Sequence, residues 1–83
     1  MDIFESNPRD KFYDIVYNAN RNLVEDEIDN LIAKLIAYTE LAEAKGISEA
    51  EIDSFVFLNQ DLINDRMNDI YIGSVANILS NNE

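Results

Sequence analysis

Apolar residues recur along this chain at spacings of three and four, and no stretch of four to eight residues alternates as a half-buried strand does. The pattern predicts four helices, over roughly 8–21, 23–45, 49–58 and 61–80. The first opens at Asn7-Pro8, a preferred N-cap followed by a proline that loses no needed donor. Asp10 sits in its first turn, where the helix dipole favours anions. Phe12, Ile15, Val16 and Ala19 then form one apolar face. Asn18, Asn20 and Asn22 weaken the helix, so it is expected to stop near Arg21, with Asn22 capping the next one. Ile3 and Phe4 precede the first helix and are expected to dock on a neighbouring surface.

The second helix is the longest. Val24, Ile28, Leu31, Ile32, Leu35, Ile36, Tyr38, Leu41 and Ala42 make a stripe wider than a two-helix seam requires. Glu25, Asp26 and Glu27 load its start with negative charge, and Lys45-Gly46 marks its end. At about 1.5 Å per residue it extends roughly 34 Å, so it is best buried between several other helices.

The third helix has the sharpest start. Ser48-Glu49-Ala50-Glu51 reads as a capping box, and Ile47 with Ile52 as a hydrophobic staple. The run Phe55-Val56-Phe57-Leu58 cannot face one way on a helix, so part of it must meet a second surface. Asn59-Gln60-Asp61 breaks the pattern before the fourth helix, which carries Leu62, Ile63, Met67, Ile70, Tyr71, Val75, Ile78 and Leu79. Gly73 lies in its interior, where glycine costs about 1 kcal/mol against alanine. A close approach of another backbone is the expected compensation. Ser80-Asn81-Asn82-Glu83 ends the helix with residues tolerant of left-handed backbone.

Composition sharpens this picture. The chain has 83 residues, one domain over 1–83, and 47% of them are hydrophobic. A chain so short buries a smaller fraction of its surface than a larger one, and disulfides, metals or partners commonly supplement its core. Without Cys or His, disulfides and zinc sites are taken as excluded. A second copy of the chain is the simplest remaining remedy, so an obligate homodimer is expected. The candidate core and dimer-interface residues are Phe12, Ile15, Ile28, Leu31, Leu35, Tyr38, Phe55, Ile70, Gly73 and Ile78.

The net charge of −11 disfavours direct contact with nucleic-acid phosphates or an anionic membrane, and suits either solubility or a basic partner. Lack of Cys fits the cytoplasm, no secretory leader is visible between Met1 and Asp10, and no apolar run approaches the length of a membrane span.

Chemistry finds little support. Asp61, Asp65 and Asp69 share a helical face, and Glu25, Asp26, Glu27 and Asp29 crowd a helix start. Carboxylate-bridged metal bundles ordinarily add Glu-x-x-His, and calcium loops need a different spacing, so these read as solvated faces. The serines have no His to activate them, and Lys11, Lys34 and Lys45 lack a framing motif. Gly46 and Gly73 lie too far apart for a phosphate cradle, and the aromatic residues lack interleaved basic ones. No catalytic, metal or cofactor residue is assigned.

Both ends of the chain carry a further signal. Ile3-Phe4-Glu5-x-Asn7-Pro8-x-Asp10-Lys11 and Asp69-Ile70-x-Ile72-x-Ser74-x-Ala76-Asn77-Ile78-Leu79-Ser80-x-Asn82-Glu83 resemble a family of short epsilonproteobacterial proteins of unknown function. The resemblance implies an all-α fold of four helices per chain, in a homodimer whose copies interlace in a knot-like way. It implies no activity. Three functions remain in order of preference: a non-enzymatic structural or protein-interaction module, an acidic mimic filling a basic nucleic-acid-binding groove of another protein, and a small-molecule carrier or enzyme.

Overall fold

The computed structural model describes residues 7–80, and all regular structure among them is α-helical: α1 (Pro8–Asn18), α2 (Arg21–Ala44), α3 (Glu49–Leu58) and α4 (Gln60–Ser80). The expectations for Ile3, Phe4 and the closing Asn81–Glu83 lie outside the described residues.

Local chemistry explains each boundary. The Asn7 side chain accepts from the Asp10 amide at 2.8 Å, with Pro8 in the first turn of α1. α1 stops at Asn18, three residues before the expected Arg21, because Asn20 and not Asn22 caps α2. Asn20 Oδ1 accepts from the Asn22 amide at 2.9 Å, and its carbonyl receives the Leu23 and Val24 amides. An asparagine on the N-terminal side of a helix can serve its first free donors, and the nearer of the two does so here.

At the far end of α2, Gly46 adopts a positive φ of 80°. Its amide bonds the Glu43 carbonyl and the Ile47 amide bonds that of Ala42, both at 2.9 Å. This is the paired pattern that closes a helix through a left-handed glycine. Ser48 Oγ then accepts from the Glu51 amide at 3.2 Å and starts α3.

Only Asn59 separates α3 from α4. Its amide and its side-chain Nδ2 both donate to the Phe55 carbonyl, at 3.0 and 2.9 Å. Its own carbonyl accepts from Ile63 at 2.9 Å, so α4 begins at Gln60, one residue ahead of the expected start.

The packed core sits at one end, where α1 lies on the second half of α4 and the start of α2 joins them. Phe12, Val24, Val75 and Ile78 are its buried apolar members, with Ile78 only 1% exposed. Phe12, Tyr13 and Tyr71 cluster with ring centroids 5.2 to 6.3 Å apart, and the Arg9 guanidinium lies 4.8 Å from the Tyr13 ring centre. Away from this end the helices diverge. The Cα radius of gyration is 15.2 Å, against about 12 Å for a compact domain of this length.

Replacing Gly46 with alanine retains the fold but forces a Cβ into left-handed backbone, at a cost of about 1 kcal/mol. The expected fall in Tm is about 4–8 °C, read by circular dichroism. An unchanged Tm would contradict the assigned helix stop.

Candidate functional site

Beyond the core, a mainly apolar trough runs along α2. At one end it runs between α2 and α4 as a groove of about 380 Å³, with Leu31, Leu35, Tyr38, Ile70 and Gly73 in its walls. At the other it continues between α2 and the start of α3, about 370 Å³, past Ala42, Ile47 and Ile52. Leu35 and Tyr38 line both parts.

Its walls follow from local structure. α2 exceeds the core that α1 and α4 provide, and its later turns project past it. Gly46 then turns the chain, and α3 leaves at the distal end.

The candidate interface residues divide accordingly. Phe12 and Ile78 are buried in the core; Ile15, Ile28 and Leu31 are half-buried beside it. Leu35, Tyr38, Phe55, Ile70 and Gly73 are exposed, Leu35 by 64%. Burial of α2 between several helices is therefore not achieved among the described residues of one chain. Among the described residues the expected close approach at Gly73 is not made: a Cβ placed there meets nothing within 4 Å. α3 has no buried residue, and Phe57 and Leu58 are each 74% exposed. One chain has too few helices to surround these elements.

The trough also holds a feature that the pattern of charges concealed. Glu27 is only 6% exposed, and its two carboxylate oxygens accept from Asn77 Nδ2 at 3.3 and 3.4 Å. Reading it as part of a solvated, dipole-complementing cluster is corrected here. The available signal was position: Glu27 falls between Val24 and Ile28-Leu31, inside the apolar stripe. Ser74, also buried, occupies the equivalent face of α4 between Tyr71 and Ile78.

The remaining electrostatics are superficial. Arg21 pairs with Glu25 one turn on at 2.6 Å, and this hydrogen bond and charge raise the guanidinium pKa above its ordinary value. Both groups are exposed, so the pair adds little to stability. Arg66 and Asp69 lie 3.6 Å apart, also at the surface. Among the described residues, no group of three or more His, Cys, Asp or Glu is arranged to hold a metal ion, and no helix is long and apolar enough to cross a membrane. Glu27, Lys34, Tyr38, Ser74 and Asn77 give the α2–α4 groove polar edges, without a nucleophile–base pair among them.

Comparison with known proteins places the whole chain in one group. A family model described as a domain of unknown function, DUF2018, matches residues 4–83. The chain belongs to the DUF2018 family. A hypothetical protein from Campylobacter jejuni, of known structure, superimposes with a TM-score of 0.86 at 38% identity. The match covers 93% of this chain and 96% of that one, so the four-helix DUF2018 fold is shared over nearly its full length. No functionally curated protein matches.

The trough makes two substitutions informative. Leu35→Asp at a truly solvent-facing site should change stability by no more than about 0.5 kcal/mol. A partner covering Leu35 makes it a buried unpaired charge, and the expected outcome is loss of the cooperative melting transition. Gly73→Leu gives opposite signs: in open space it gains about 1 kcal/mol of helix propensity, whereas a covered groove cannot accommodate the side chain. We expect Tm to fall, and a rise would show that Gly73 faces solvent.

Proposed function

We propose that this DUF2018 chain is a non-catalytic structural or protein-interaction module that works as an obligate homodimer, its two copies interlaced. The uncovered trough carries this reading. A folded monomer of this mass exposes about 5,000 Å² by the scaling of accessible area with size. This chain exposes 6825 Å². The surplus, about 1,800 Å² per copy, amounts to about 3,600 Å² for two, within the range of about 2,000–5,000 Å² typical of obligate interfaces. Much of the surplus is aliphatic and aromatic, from Ile32, Leu35, Ile36, Tyr38 and Leu41 on α2 to Phe55–Leu58 on α3. Water is a poor partner for such side chains, and a second copy presents an equally large surface in need of cover.

The acidic residues other than buried Glu27 then decorate the outside of the pair. With −11 per chain they suit a partner protein with a basic face, and they disfavour direct contact with nucleic acid or membrane. The lack of cysteine fits the cytoplasm, where we place the protein.

The same charge supports a second reading, an acidic mimic that fills the nucleic-acid-binding groove of another protein. That reading predicts affinity that falls steeply as salt rises; binding to a basic groove protein that is equal at low and high salt would exclude it.

Light scattering after size exclusion tests the leading reading. The expected mass is about 19 kDa, twice the chain's 9.5 kDa. A species of one chain mass at micromolar concentration would contradict it.

A further inference from the structure

We propose that the outer face of α1 docks an arginine-bearing segment of another protein, with Tyr13 and Tyr17 as the ring platform and Asp10 and Asp14 as the counter-charges. The inference rests on the protein-interaction reading and names the face and the chemistry of the partner it takes.

α1 has two faces. Successive helical residues are about 100° apart, so Asp10, Tyr13, Asp14 and Tyr17, spaced i, i+3, i+4 and i+7, form one stripe. Phe12, Ile15, Val16 and Ala19 have the same spacing and form a second stripe on the opposite side. The second stripe holds buried Phe12 and three half-buried residues, on a helix that packs against α4. On the first, Tyr17 is 81% exposed, more than any other large apolar side chain among the described residues. Tyrosine is a favoured anchor of protein contacts, where its ring and an arginine of the other partner commonly meet.

The platform already holds a cation of the proposed kind. The Arg9 guanidinium carbon lies 4.8 Å from the Tyr13 ring centre, within the reach of about 6 Å over which a ring face attracts a cation. Tyr13 is steadied by the rings of Phe12 and Tyr71, 5.2 and 6.3 Å away between centroids, so it has little freedom left to lose on binding. Tyr17 repeats this arrangement one turn on, with Asp14 beside it and no cation over its ring among the described residues. Asp10 and Asp14 form no ion pair among the described residues either.

Arg9, Asp10, Tyr13, Asp14 and Tyr17 line a shallow depression of about 470 Å³, open enough for a side chain arriving on another protein. Arginine suits it better than lysine, because a planar guanidinium stacks on a ring and pairs with a carboxylate at once. The net charge of −11 draws a basic segment toward the chain and repels an acidic one.

Fluorescence anisotropy of labelled hexa-arginine and hexalysine peptides, titrated with the 83-residue chain, tests the proposal. Hexa-arginine is expected to bind the more tightly. Tyr17→Leu is expected to weaken it about two- to fivefold, and Tyr17→Phe, which keeps the ring, to leave it unchanged. Asp14→Asn is expected to weaken it more than Asp65→Asn, the same change of charge on α4. Equal affinity for the two peptides, or native affinity in Tyr17→Leu, would overturn the proposal. Light scattering on the same samples separates it from the homodimer reading. Absent binding by a protein of two-chain mass would overturn the α1 assignment and leave the homodimer standing. A fall to one chain mass on Tyr17→Leu would assign Tyr17 to the contact between copies, and that too would overturn it.

Discussion

The structure depends on a mismatch between apolar surface and the helices available to cover it. α1, the start of α2 and the second half of α4 assemble one small core around Phe12, Val24, Val75 and Ile78. That core closes only one end of α2. The rest of α2, all of α3 and the first half of α4 present aliphatic and aromatic side chains to whatever lies beyond the chain. Hydrophobic burial is the main favourable term in folding, and the conformational entropy of ordering the chain opposes it with similar size. A chain that leaves this much apolar surface uncovered forgoes the margin by which folded states ordinarily win. Association would restore that margin, and on the proposed reading folding and assembly are one event.

Among the described residues, several polar side chains mark the ends of helices. Asn7, Asn20 and Ser48 begin helices, Gly46 ends one, and Asn59 bends the path between α3 and α4. Glu27 and Asn77 differ, because their contact links α2 to α4 across fifty residues. A carboxylate so deeply placed requires donors, and few relative positions of the two helices provide them. The pair thus ties α4 to α2 at the edge of the groove.

Helix content and most boundaries were legible because they rest on short-range signals. Asn-Pro, Ser-x-x-Glu and Lys-Gly each have a local physical cause, and apolar spacing did the rest. The end of α1 was misplaced because two asparagines, Asn20 and Asn22, compete for one cap, and spacing alone does not rank them. The candidate interface residues were found as apolar positions, but periodicity could not separate Phe12 and Ile78, which the chain buries itself, from Leu35 and Tyr38, which it leaves open. That distinction depends on which helices lie adjacent, a tertiary property. Glu27 was hidden for the opposite reason: its neighbours Glu25 and Asp26 are exposed, and charge in a run suggests solvent even where the helical register points inward.

The central claim is that no single chain keeps this fold. Sedimentation equilibrium across a wide dilution series, with circular dichroism on the same samples, addresses it most directly. Two-chain mass with full helicity, and helix lost only as the pair dissociates, is the predicted result. A fully helical species of one chain mass at every concentration would contradict the account and leave the trough as a surface for some other molecule.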